Sequence, residues 1–131
     1  MVFQRGISVD GMYFDIPMVS LKREAKVLDK YAEREEESGV LLRELIGVYY
    51  NFTLTVGSSK YFGETDYETF WDKMTEPVPF HEISIPIKDG NYTFTAYISS
   101  VSDEYEKILE NKAVFKGFTC KFIAQRPART P

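Results

Sequence analysis

The sequence predicts a mainly β protein of the α+β class, an antiparallel β-sandwich or barrel with one helix at about residues 66–75 packed on it. Three observations carry this. Residues 46–56 alternate without a break, with Ile46, Val48, Tyr50, Phe52, Leu54 and Val56 on one face and Gly47, Tyr49, Asn51, Thr53 and Thr55 on the other. That period of two suits a pleated strand and no face of a helix. A second alternating pair flanks the tight-turn signal Asp89-Gly90. The aromatic load, ten Phe, nine Tyr and one Trp in 131 residues, favours strands and packed surfaces. The length suits one domain with a real core: residues 1–124, followed by an extended, mobile Pro- and Arg-containing tail at 125–131.

The elements follow in chain order. Residues 2–9 form a first strand, Asp10-Gly11 a turn, and Met12, Phe14 and Ile16 resume alternation, so the chain opens on a hairpin. Pro17 places a bend or an edge there, since it donates no ladder hydrogen bond. Residues 19–39 support two readings. Leu21, Ala25, Leu28 and Ala32 fit a helix of about five turns, with Ser20 as cap and Gly39 as stop. Val19, Leu21, Arg23, Ala25 and Val27 fit a strand, with a charged loop over 30–38 feeding the long strand.

Gly57-Ser58-Ser59 then breaks the pattern, and Thr65-Asp66-Tyr67-Glu68 reads as a capping box at a helix start. Tyr67, Phe70, Trp71 and Met74 make one apolar stripe, which predicts core packing across a sheet, and Pro77 and Pro79 end the helix. Ile83, Ile85 and Ile87 return through Asp89-Gly90 against Tyr92, Phe94, Ala96 and Ile98; Pro86 puts the first of these strands at an edge or turns its nitrogen away from the ladder. Residues 99–112 are acidic and read as a short helix or an ordered loop. The last strand, 114–124, sets Phe118, Cys120 and Phe122 on one face.

Composition excludes several functions. Sixteen basic against twenty acidic residues give a net charge of −4, which argues against binding a nucleic-acid backbone. No apolar run approaches the roughly 20 residues that cross a bilayer, so no membrane partner is expected. The start lacks the basic and apolar regions of a secretion signal, and the lone Cys120 makes no internal disulfide, so a reducing cytoplasm is the expected compartment. Without that export signal, the acceptor patterns Asn51-Phe52-Thr53 and Asn91-Tyr92-Thr93 mark only polar strand positions.

Candidate chemistry is sparse. His81, the one histidine, has no motif-linked nucleophile or acid and reads as structural or surface. One His and one Cys do not complete a zinc set, and the acidic run Glu33, Glu35, Glu36, Glu37 lacks the alternating ligands of a calcium loop, so no metal or cofactor is expected. Cys120 reads as a buried, inert thiol. No acid, base and nucleophile set can be assembled, so an enzyme is not expected. One segment is suited to a partner. Residues 22–44 carry Lys22, Arg23, Lys26, Lys30, Arg34 and Arg43 among acids that include Glu35, Glu36, Glu37 and Glu44. Such mixed charge reads either as a solvated connection or as a surface that pairs with a copy of itself. A ligand- or glycan-binding module with Tyr49, Tyr97 and Trp71 as stacking surfaces is the alternative.

Leu28-Asp29-Lys30-Tyr31-Ala32-Glu33-Arg34, then Arg43-Glu44-Leu45-Ile46-Gly47-Val48-Tyr49-Tyr50-Asn51, a helix, a Pro-flanked strand and Gly90-Asn91-Tyr92-Thr93-Phe94-Thr95 follow in this order. This pattern resembles small structural proteins from the tail modules of bacteriophages and prophages of Gram-positive bacteria. The resemblance spans most of the chain and rests on structural motifs. It implies a non-enzymatic virion protein of the tail-tube, tail-completion or tail-tip kind, made and assembled in the bacterial host cytoplasm and located in the virion tail. It further implies association with itself, in a ring, and with other tail structural proteins. It favours strand plus loop over helix for residues 20–38, with 22–44 as the contact arm.

Overall fold

The computed structural model describes residues 5–58, 64–87, 90–109 and 112–131. Six antiparallel strands close into a barrel: β1 (Arg5–Val9), β2 (Met12–Arg34), β3 (Leu41–Val56), β4 (His81–Ile87), β5 (Gly90–Leu109) and β6 (Lys112–Ala124), in the spatial order β1-β2-β3-β6-β5-β4. One helix, α1 (Glu64–Met74), lies between β3 and β4 in the chain. The expected β-rich architecture with a single flanking helix is therefore the observed one, as a barrel. Residues 2–4 of the expected first strand, Ser59, Asp89 and the Thr65 and Asp66 side chains of the expected capping box lie outside the described residues.

The first turn shows how local chemistry sets the topology. Val9 pairs with Met12 across Asp10 and Gly11, and both turn residues have positive φ (53° and 83°), the backbone of the tight hairpin that matches strand twist. The alternating set of β3 then packs inward, with Phe52, Leu54 and Val56 buried against Cys120, Phe122 and Phe118 of β6. Ile83 and Ile85 of β4 and Ala96 of β5 complete the wall.

The helix plugs one end of this barrel. Tyr67, Phe70 and Met74 of its stripe are buried, and Trp71 is half-buried. Phe70 meets Phe14 edge-on at 5.0 Å and Phe118 at 5.2 Å, while Tyr67 stacks on Phe115 at 4.3 Å. The Tyr67 hydroxyl donates to Asp103 (3.3 Å) and to the Gly117 carbonyl (3.4 Å). Burial first, and the Asp103 carboxylate second, raise that phenol above its ordinary range. The other end carries a second ring cluster, in which Phe52 lies 5.2 Å from Phe94 and 5.8 Å from Tyr92, with Tyr50 beyond.

Two expectations are corrected by long strands. The charged loop expected at 30–38 is mostly strand: β2 continues to Arg34, paired in register from Met18↔Val56 to Arg34↔Leu41, and only residues 35–40 turn. The helical alternative for 20–38 fails for the same reason, because propensity differences of tenths of a kcal/mol per residue cannot offset a continuous ladder with β3. The acidic stretch 99–112, expected as short helix or loop, is the far half of β5 paired with β6 down to Leu109↔Lys112, with residues 110–111 outside the described set. Bulges hide both strands from a period-of-two reading. The register slips past Val19 and Lys30 in β2, Ile46 in β3, Ser99 and Glu106 in β5 and Lys116 in β6, and each slip resets which face a side chain takes.

The tail, expected to be extended and mobile, bends at 125, 126 and 128 and docks on β3. β6 leaves β3 at Phe52↔Phe122, the Asn51 side-chain oxygen accepts the Ala124 amide at 2.9 Å, and the chain then returns to the β3 edge. There Val48 donates to the Arg129 carbonyl (2.9 Å) and accepts from the Ala128 amide (2.8 Å). Gly47 permits this approach: a Cβ on it would lie 2.6 Å from Pro127 and 2.8 Å from the Arg129 carbonyl. Gly47→Val is expected to lift the tail without unfolding the barrel, read as faster hydrogen exchange at the Val48 amide with core amides unchanged. Phe70→Ala, by removing the ring that joins helix to barrel, is expected to cost about 3–5 kcal/mol in urea unfolding.

Candidate functional site

The strand registers fix where the two hairpin extensions point. β3 and β6 are antiparallel, with Phe52 opposite Phe122 and Val56 opposite Phe118. The β2–β3 tip precedes Phe52 along β3, and the β5–β6 tip precedes Phe118 along β6, so they leave the barrel at opposite ends. By strand rise, the first extends roughly 30 Å beyond its last rung with β6 and the second roughly 20 Å. The β4–β5 turn lies at the same end as the β2–β3 extension, and α1 closes the end from which β5–β6 projects.

Eight of the ten charged residues expected at a subunit contact fall on the first extension, and Lys22 and Arg23 sit at its root, opposite Thr53 and Phe52, which still pair with β6. Lys22, Arg23, Lys26, Lys30 and Arg34 lie on β2, Glu35, Glu36 and Glu37 in its turn, and Arg43 and Glu44 on β3. The extension is held internally by Arg43, whose guanidinium reaches Asp29 at 2.8 and 3.0 Å, and by Arg34, which donates to the Gly39 carbonyl at 2.9 Å. Lys26 and Glu24 pair at 3.5 Å on the exposed surface. Lys22 and Lys26 share the outward face of β2, while Arg23 is on the barrel-lining face, 5.7 Å above the Tyr50 ring.

The barrel-lining face continues past the closed part of the barrel as an open, apolar strip. One cleft of about 780 Å³ is lined by Leu21, Arg23, Phe52 and the β4–β5 residues Pro86, Ile87, Gly90 and Asn91. A second of about 410 Å³ lies farther out, between Ala25, Leu45, Val48, Tyr50 and the tail residues Arg129, Thr130 and Pro131. Together they form a trough with the hairpin as floor, the β4–β5 turn on one side and the tail on the other. Burial, followed by the neighbouring Tyr50, raises the Tyr92 phenol above its usual value near the inner end of this floor. Sequence reasoning missed the trough, because its walls come from segments remote in the chain.

A separate polar cluster centres on Asp10. Its Oδ2 lies 2.6 Å from His81 Nδ1 and 3.3 Å from Lys73 Nζ, and its Oδ1 accepts the Glu82 amide at 2.7 Å. Burial raises the Asp10 carboxyl, and the bonds from His81, the Glu82 amide and Lys73 outweigh it, leaving Asp10 below its ordinary range. The carboxylate accepts, so the His81 Nδ1 carries the proton. His81 is 3% exposed, a structural histidine. Asp10, Glu76 and His81 place three ligand atoms within 4.8 Å of one another. Lys73 already serves as their cation, 3.3 Å from Asp10 and 3.5 Å from Glu76, so the cluster reads as an ion network. Cys120 is fully buried and its thiol is pushed up to about 12 by desolvation, which removes it as a nucleophile at neutral pH.

Of the three aromatics of the glycan-binding alternative, Trp71 lies at the opposite end of the barrel from Tyr49. Tyr49 sits opposite Lys26 at the root of the first extension, Trp71 packs edge-on against Phe118 at the helix end, and Tyr97 pairs with Ile123 and meets Phe80 at 6.4 Å. Among the described residues no helix is long and apolar enough to cross a membrane.

No family model matches the sequence. No sequence among the curated proteins matches it either. The fold, however, is similar to that of a chain in the solved virion of a native gene transfer agent particle, with a TM-score of 0.50 and 18% identity over 92% of this chain and 89% of that one. At that identity the likeness concerns the fold, and it holds over nearly the whole of both chains.

The Asp10 network gives a pH prediction with a definite sign. A carboxyl depressed on folding adds stability that is complete above its unfolded value, near 3.8, and is lost as the pH falls through the lower folded value. Asp10→Asn keeps the turn and an acceptor for the Glu82 amide but removes the charge. It is expected to lower stability by about 1 kcal/mol at pH 7, the gap from wild type closing in thermal melts taken toward pH 2.

Proposed function

We propose that this chain is a structural protein of a phage-like virion, one that self-associates within the tail and does no enzymatic chemistry. The observation that carries this reading is the two-ended subunit: a closed barrel with a hairpin projecting from each end. A closed barrel has few edges of its own to offer, and extensions at both ends give each copy one surface above and one below. The fold likeness to a chain of a gene transfer agent virion supports the same class. The ordering of segments 28–34 and 43–51 favours the tail modules of Gram-positive phages and prophages, with a ring as the assembled form and other tail proteins as neighbours.

The mixed charge of the first extension suits selection of orientation more than affinity. Its internal pairs at Arg43 and Arg34 hold the hairpin stiff, while the Glu35–Glu36–Glu37 turn stands at its tip. The test is assembly of the purified chain, followed by mass photometry and negative-stain microscopy. Wild-type protein is expected to form rings or short stacks. Replacing Glu35, Glu36 and Glu37 together by Gln is expected to reduce the oligomer while circular dichroism stays unchanged. Oligomers of unaltered size in that variant would remove the extension from the contact, and the absence of this chain from tails of the parent particle, probed by immunogold labelling, would overturn the class.

A further inference from the structure

The registers sort the charges of β2 and β3 by face. Followed outward from Leu21↔Leu54 through the slips at Ile46 and Lys30, they put Arg23, Asp29, Arg34 and Arg43 on the barrel-lining face and Lys22, Glu24, Lys26, Glu33 and Glu44 on the outward one. The arginines thus share the face that floors the trough. The carboxylate on that face, Asp29, is taken by Arg43 at 2.8 Å, so the charged side chains bordering the two clefts are Arg23, over Tyr50, and Arg129 of the tail. Between them the floor is apolar, with Leu21, Val48 and Tyr50 half-buried and Val27 exposed. Guanidinium groups beside apolar surface suit ion pairs between subunits. The opposite end of the barrel has the opposite sign. Residues 64–82, which form α1 and its link to β4, hold six acids against one lysine, and Lys73 is turned onto Asp10 at 3.3 Å. Glu68 and Asp72 stand one turn apart on the exposed side of α1, away from the buried Tyr67, Phe70 and Met74. Since α1 plugs the barrel, that side faces out of its end. The link adds exposed Val78 and Phe80, the latter edge-on to the exposed Tyr97.

We propose that the acidic, α1-capped end of one copy docks on the arginine-bearing trough of the next, Glu68 and Asp72 meeting Arg23 and Arg129 while Val78 and Phe80 cover the apolar floor. This rests on the self-associating reading above and names its contact. The shapes suit it: the helix is a convex ridge about 10 Å across, and the trough is open between the β4–β5 turn and the tail. The polarity is set by the fold. Because cap and trough lie at opposite ends of the barrel, copies stacked in one direction bring each cap onto the next trough. A two-fold arrangement would set like against like, arginines on arginines or carboxylates on carboxylates. The contact is therefore heterologous, closing as a ring or running on as a filament according to the rotation between copies. The apolar residues supply the binding free energy, and the charges select the orientation.

The test is charge-swap complementation in sedimentation velocity, with circular dichroism as the check on folding. Glu68→Lys/Asp72→Lys in one chain and Arg23→Glu/Arg129→Glu in another each bring like charges together, and each alone is expected to associate at least about tenfold more weakly than wild type. Mixed in equal amounts, each variant's cap faces an opposite charge in the other's trough, so the mixture is expected to recover wild-type affinity. Val78→Ser, which removes an exposed apolar group outside helix and strands and leaves the charge unchanged, is expected to weaken association on its own. Folded variants that assemble as wild type does, or a mixture that fails to recover, would overturn this contact while leaving self-association in place. A wild-type chain that stays monomeric up to millimolar concentration would instead remove the self-association reading itself.

Discussion

The barrel closes at a narrow seam. β1 meets β4 at Ser8↔Ser84 and Val9↔Ile83, with one further bond from the Asp10 amide to the Glu82 carbonyl. Beside that seam Asp10 holds the first turn to the start of β4 through His81 and Glu82, and to the end of α1 through Lys73. The rest of the structure depends on this joint. With it made, Ile7, Val9, Ile83 and Ile85 face one interior with Leu54, Cys120 and Phe122, and the helix has a rim to sit on. Were it open, β1 and β4 would present two free edges, and the apolar interior would face water.

Closure also explains why the extensions carry the surface properties. Once the barrel core is full, the far halves of β2–β3 and β5–β6 have no interior left to line. They are held by their own ladders, by Arg43–Asp29 on one and by the Tyr105–Phe115 ring contact on the other. Gly117, at φ +133°, lies at the root of the second extension, where a side chain would run into the Val56 carbonyl; only a residue without Cβ lets β6 bend past the end of β3 there. The result separates two tasks. The barrel supplies stability, and the hairpins supply directed, chemically different ends.

The tail belongs to the same design. By pairing with Val48 it occupies β3 where β6 has already left, and its last residues become a wall of the trough. Among the described residues the β3 edge from Leu41 to Gly47 is not paired on that side, so the tail marks the boundary between the covered sheet and the open hairpin.

The legible parts of the sequence were those with uninterrupted local signals. The alternation of residues 46–56, the Tyr67–Phe70–Trp71–Met74 stripe, the Asp10-Gly11 turn and the inward Phe118–Cys120–Phe122 set each have a period or a turn chemistry that one local geometry satisfies, and the structure carries them, the alternation from Gly47 onward because Ile46 falls in a bulge. Residues 30–34 and 99–109 were illegible because bulges shift the face of alternate residues and because charge reads as solvation in either conformation. Only pairing with Leu41–Glu44 and with β6 makes them strands. The ten charged residues could be chosen from composition, but that eight of them occupy one hairpin, with the β5–β6 hairpin leaving the barrel at the opposite end, follows from the registers between strands. The same holds for the trough, for His81 and Lys73 on Asp10, and for the docked tail. The sequence by itself determined which segments are amphipathic and where the chain turns, since those preferences are local. The tertiary structure alone decided how far the strands run and which surfaces meet, because those depend on ladder hydrogen bonds and buried contacts between residues tens of positions apart.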